Sequence, residues 1–151
     1  MKKSYSLIWC LMLVLALVTV GCKKDAKPLS ERIAKAWTAE SVKEGTVVVY
    51  TRGGSNNTRP GYSGFRLTLS TTAGVNTASY TEFDGNTFTG TWSLDGSSKL
   101  ILSGLTPAPT GSGGTLEFSI TSIEDAKLVI KRLTASKKTG DTINEYTLTN
   151  P

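Results

Sequence analysis

The sequence predicts an all-β protein: an eight-stranded antiparallel up-and-down barrel with a short N-terminal helix plugging one end. Three observations carry this. Apolar and polar residues alternate with period two through most of the chain after Trp37, the signature of strands with one buried and one solvated face. Short turn signals such as Asp84-Gly85 and Asp95-Gly96 separate the alternating runs, and glycine there tolerates the positive φ of a hairpin turn. The runs follow one another as a meander, and closing a meander on itself removes its exposed edges.

In chain order, residues 23–28 read as a tether ending at Pro28. A helix of about two turns follows, with Ser30 as N-cap and Leu29, Ile33 and Trp37 four apart, short enough to depend on packing rather than propensity. Strands are expected over 37–50, 64–70, 78–83, 86–94, 98–103, 115–123, 126–134 and 142–149. The first is long, and a bend or bulge at Gly45 accommodates it. Phe65-Leu67-Leu69, Phe88 with Trp92, Leu116-Phe118-Ile120, Leu128-Ile130 and Tyr146-Leu148 supply the inward phase. Gly90 falls on that phase too, where it leaves a gap or admits a close approach. Glu82, Glu117 and Glu145 fall on faces expected to see solvent.

Composition excludes several chemistries. The chain of 151 residues has no histidine and two cysteines, Cys10 and Cys22. Ser-His-Asp and Cys-His catalysis, His-rich zinc sites and His-ligated haem are therefore out of reach. Gly53-Gly54 continues into Ser-Asn-Asn, so no Walker-type phosphate loop is present. Turns account for Asp84, Asp95, Glu124 and Asp125, and no carboxylate pair stands out for glycoside hydrolysis. A non-enzyme without cofactor or metal is expected. The formal charge is +5 with scattered basic residues, unlike the clustered stripe that nucleic acid requires.

The N-terminus has an address. Lys2 and Lys3 precede an uncharged apolar stretch from Leu7 to Val20, and Gly21-Cys22-Lys23-Lys24 follows. A charged start, a short apolar core and a small residue make a secretory signal, and about 14 apolar residues fall short of the ~20 needed to span a bilayer. The cysteine after Val20-Gly21 makes the segment resemble a bacterial lipoprotein signal, although Thr19 stands where that motif usually has leucine. The resemblance implies cleavage after Gly21, acylation of Cys22, and a division into signal (1–21), acylated tether (22–28) and barrel domain (29–151). Without residues 1–21 about 130 residues remain, enough for one domain with a core. Resemblance to sorted Gram-negative lipoproteins implies outer-membrane delivery with Lys23 after the cysteine. Because surface-export signals of related lipoproteins are acidic, the mostly basic Lys23-Lys24-Asp25 implies the periplasmic face over the cell surface.

A short helix, a tryptophan opening the first strand, an eight-stranded meander, and the blocks Phe88-Thr89-Gly90-Thr91-Trp92 and Lys99-Leu100-Ile101-Leu102 resemble the lipocalin-like domains of bacterial lipoproteins. The likeness covers about residues 29–149. Lys35-Ala36-Trp37 lacks the glycine of the Gly-x-Trp motif of true lipocalins.

Connections in a meander alternate between the two ends of the barrel. The long ones, 51–63, 104–114 and 135–141, fall at one end and define a mouth; the helix, tether and C-terminus share the floor. A turn at Glu44-Gly45 would split the first strand and reverse that assignment. Arg52, Arg59 and Tyr62, on the flexible first loop, are the rim candidates for a sugar or anionic headgroup, with Lys137 and Lys138 nearby. Trp37, Phe65, Phe88, Trp92, Phe118 and Tyr146 are the interior candidates. Asp141-Thr142-Ile143 resembles a bacterial O-glycosylation motif centred on Thr142.

Two functions follow. One is an outer-membrane-anchored lipoprotein holding a small apolar or amphipathic ligand in the barrel. The alternative is a non-enzymatic accessory subunit of a cell-envelope complex, with a fully packed barrel.

Overall fold

A computed structural model describes residues 27–151. The signal-like segment 1–21, Cys22 as the expected acylation site, and most of the expected tether 22–28 lie outside the described residues. Nine strands follow one five-residue helix, α1 (Leu29–Ile33): β1 (Ala36–Glu44), β2 (Val47–Thr51), β3 (Arg66–Thr72), β4 (Val75–Thr81), β5 (Thr87–Asp95), β6 (Lys99–Thr106), β7 (Leu116–Ile123), β8 (Lys127–Arg132) and β9 (Asn144–Thr149). All pairings are antiparallel, and β9 returns to β1. The closed ring is β1 and β3 to β9, an eight-stranded barrel with β2 as an additional strand. The inward phase read from the sequence is the buried one: Trp37, Phe65, Leu67, Leu69, Phe88, Trp92, Phe118, Ile130 and Tyr146 all join one core.

The stretch 37–50 is two strands rather than one. Gly45 adopts φ 63° and turns the chain back on itself, so that Glu44 pairs with Val47 and Ser41 with Thr51. The mouth assignment survives the split for a geometric reason. The lower half of β1, Ala36–Thr38, pairs with β3, while its upper half pairs with β2 on the same side. Since β2 and β3 both run antiparallel to β1, they fill a single strand position in two pieces. Residues 52–65 make an excursion between those pieces without reversing direction.

The floor therefore carries α1, the end of β9 and the turns after β3, β5 and β7; the mouth carries residues 82–86, 107–115 and 133–143. The link 71–77 left between the expected strands 64–70 and 78–83 closes to a two-residue turn, because Thr72 pairs with Val75 and Ala73-Gly74 take φ 50° and 79°. Both signs match a type I′ turn. The helix begins at Leu29 behind Pro28, with no side-chain cap. Ser30 thus sits inside the first turn, and its carbonyl receives Ala34 N–H. The helix closes the floor as expected: Ile33 is buried, its carbonyl accepts the Trp37 indole N–H at 2.9 Å, and Arg32 and Lys35 reach the carbonyls of Ile123 and Asp125.

Gly90 serves close approach. It lies at the register shift between β5 and β6, and a Cβ there would overlap the Ser103 carbonyl oxygen. The barrel closes tightly at this point because glycine admits the neighbouring backbone.

Candidate functional site

The mouth is where this chain departs most from a plain barrel. Residues 52–65 leave β2, fold back over the opening, and end in a 3-10 turn at Pro60–Gly64. Gly61 makes this possible, since a Cβ would overlap the carbonyl oxygen of Phe83. The turn drives Tyr62 into the barrel, where it is 1% exposed. Its ring lies 5.0 Å from Phe83, 6.3 Å from Tyr50 and 6.2 Å from Tyr146, between centroids.

Beneath it the interior is occupied by aromatic rings in mutual contact. Phe65 stacks on Tyr146 at 4.9 Å and meets Tyr80 edge-on at 5.6 Å, and Phe118 packs at 6.2 Å from Tyr146. Such pairs are within the range of favourable offset and edge-to-face geometry. An eight-stranded ring is just wide enough for side chains to fill, and here Tyr62, Phe65, Tyr80, Phe118 and Tyr146 occupy it in mutual contact.

A polar layer separates this core from solvent. Tyr62 Oη donates to Glu44 Oε1 at 3.1 Å, and Arg59 Nε pairs with the same oxygen at 3.0 Å. Asn144, 1% exposed, reaches toward Tyr62 and Tyr146 hydroxyls at 3.5 and 3.4 Å. Across the opening, Lys138 Nζ lies 2.6 Å from both Glu82 Oε2 and Asp84 Oδ2 and 5.5 Å from the Phe88 ring. Glu82 is buried, contrary to the sequence expectation. It continues the inward phase of Ala78 and Tyr80, and Lys138 supplies the countercharge. Arg132 is also buried, continuing Leu128 and Ile130, and donates from Nε to Thr134 O at 3.2 Å. It forms no ion pair among the described residues.

Protonation follows these contacts. Burial holds the hydroxyls of Tyr62, Tyr80 and Tyr146 above their ordinary values. Partial desolvation pushes Asp84 upward, but the Lys138 ammonium and the Asn86 hydrogen bonds outweigh it, leaving a lowered pKa. Desolvation likewise opposes the charge on Lys138, and its two carboxylate partners outweigh it and raise its pKa.

The rim candidates do not converge. Arg52 lies on the flank, where β1 passes from β3 to β2, and its guanidinium bonds Thr38 Oγ1 and Ala39 O. It occupies the gap in the ladder left by the strand exchange. Arg59 is held by Glu44 and lies over Phe83 at 5.3 Å. Tyr62 is the plug. Thr142 is half-buried, its hydroxyl bonded to Asn144 Oδ1 at 2.7 Å. Lys137 pairs with Asp141 at 2.8 Å.

No family model matches the chain, and no curated protein sequence matches it. Solved structures do. One is a lipocalin-like protein from Bacteroides uniformis ATCC 8492, 13% identical, with TM-score 0.49 over 80% of this chain and 99% of that one. Another is an uncharacterized protein from Bacteroides eggerthii DSM 20697, 11% identical, with TM-score 0.46 over 78% of this chain and 98% of that one.

Proposed function

We propose that this chain is a non-catalytic binding module: a packed barrel on a lipid tether that engages its partner with its outer surface. The observation that carries the reading is the plug. Tyr62 fills the mouth of a barrel already occupied by Phe65, Tyr80, Phe118 and Tyr146. The anchor is Cys22 in the outer membrane, on the periplasmic face, supported by the lipoprotein-like signal and by Lys23. Because α1 and the start of the described chain share the floor, the tether directs the plugged mouth away from the bilayer. Metabolic labelling with a palmitate analogue tests the anchor: label is expected on the native chain and absent from Cys22→Ser.

A second reading has its own observation. Arg132 is a largely buried arginine with no carboxylate pairing it among the described residues, and buried charges ordinarily are paired. An amphipathic ligand with an anionic head would meet Arg132 once Tyr62 withdrew. Titration with anilinonaphthalene sulfonate separates the two. A packed barrel gives no saturable binding. Saturable one-to-one binding that Arg132→Gln abolishes would replace the first reading with the second.

A further inference from the structure

The outer wall of β3 to β6 is rich in hydroxyl side chains. Most outward positions of β3 to β5, with Ser103 and Thr106 of β6, are threonine or serine, and registry aligns them into rows across the sheet; Arg66, Val75 and Asp95 stand at the strand ends, and Lys99 and Ile101 on β6. Thr68 faces Ser79, Ser79 faces Thr89, and Thr89 faces Thr106. At a strand spacing of about 4.8 Å this row spans roughly 14 Å. It runs along a shallow open depression of about 550 Å³ whose floor is reached by the small residues Ala78 and Gly90. The lining holds no charged and no aromatic side chain, in a chain with 29 charged residues, 17 basic and 12 acidic.

The rows differ in one respect that bears on binding. The flanking rows satisfy themselves: Ser70 bonds Thr77 at 2.8 Å, Thr81 bonds Thr87 at 2.9 Å, and Thr91 Oγ1 reaches Ser103 O at 3.4 Å. In the row along the depression, the hydroxyls of Thr68, Ser79 and Thr89 bond no group among the described residues. Each both donates and accepts. Their β-branched carriers, Thr68 and Thr89, are stiff about χ1, so the array is pre-ordered before anything binds.

We infer that this depression binds a neutral polysaccharide. The inference rests on the surface-acting reading above and names its partner. Nucleic acid and anionic lipid require Lys and Arg, and a protein interface core is enriched in aromatics and methionine; the depression offers neither. An uncharged field of unpaired donors and acceptors complements a partner that is itself an uncharged field of hydroxyls. Because each neutral hydrogen bond is weak on exchange with water, the occupant must present several at once, as a polymer does.

The test is co-sedimentation of the full chain, in detergent, with insoluble starch, β-1,3-glucan, mannan and cellulose, and with polygalacturonate gel as the charged comparison. Retention on at least one neutral polymer is expected, with little on polygalacturonate, and Thr68→Val/Thr89→Val is expected to cut it at least fivefold. Valine keeps the branched shape and the strand preference, and an unchanged melting temperature certifies the fold; Ser79→Ala gives a second, independent loss of hydroxyl. No retention on any neutral polymer, or retention that both variants leave intact, overturns the inference. So does a dimer of the native chain in size-exclusion chromatography that the double variant abolishes, which would make the wall a contact between copies. A saturable probe site inside the barrel would instead overturn the surface-acting reading, whatever the polymers do.

Discussion

Tyr62 and Glu44 are joined by a hydrogen bond of 3.1 Å from the phenol to the carboxylate, and that bond fastens the excursion 52–65 to the tip of the first hairpin. Tyr62→Phe keeps the ring and removes the bond. A hydrogen bond to a charged acceptor contributes about 1.5–3 kcal/mol, and Arg59 continues to hold Glu44, so a loss near the lower end is expected in urea unfolding. Hydrogen exchange should rise in residues 52–65 and stay unchanged in β7 and β8. Unchanged exchange across the whole chain would mean that the plug is held by packing alone.

Arg52 carries a different weight from the one its loop position implies. It supplies the donors for Thr38 and Ala39 at the point where β1 exchanges β3 for β2. Arg52→Met keeps the aliphatic stem and removes the donors from the buried Thr38 and Ala39. Loss of these part-buried bonds is expected to cost about 1–3 kcal/mol, and the expected signature is faster exchange localised to β1 and β2. A variant with normal protection there would remove Arg52 from the ladder.

The turn after β3 stores a correctable strain. Ala73 sits at φ 50° before Gly74 at φ 79°, a conformation that costs an L-residue with a Cβ about 1–2 kcal/mol. Asparagine tolerates it and makes the favoured Asn-Gly pair. Ala73→Asn is expected to raise the melting temperature by about 2–5 °C. A lower melting temperature would contradict the turn assignment.

Stability should fall at both ends of the pH scale, for separate reasons. Asp84 has a lowered folded pKa, so its contribution is present above the ordinary carboxylate value of ~3.9 and is lost as pH falls through the folded one. Lys138, Tyr62, Tyr80 and Tyr146 have raised folded pKa values. Their contributions are whole below about pH 10 and are lost as pH rises past it. Melting scans should show a plateau between about pH 5 and 9. Lys138→Met should flatten the acid limb while leaving a tyrosine-driven alkaline one. An acid limb of full height in that variant would detach Asp84 from Lys138.

The strands were legible because period two survives burial. Phe88-x-x-x-Trp92 and Leu116-x-Phe118 mark their inward faces without help from context. Polar residues in the same phase were harder. Glu82 follows Ala78 and Tyr80, Arg132 follows Leu128 and Ile130, and Asn144 precedes Tyr146 and Leu148; phase places all three inside, but their charge or amide argues for solvent until a partner from another loop is known. Val47-Val48-Val49 hid the first hairpin, since an unbroken apolar run has no alternation to reveal a reversal at Gly45. Tyr62 was hidden by its surroundings. A Gly- and Asn-rich loop reads as solvated, and only the distant Phe83 and Glu44 make it a plug.

Native mass spectrometry of the chain extracted from its own host tests the packed interior most directly. A filled barrel with Tyr62 in its mouth predicts the mass of the polypeptide alone, plus the acyl groups of the proposed anchor. A stoichiometric adduct of small-molecule mass, lost on denaturation, would contradict it and return the binding site to the interior beside Arg132.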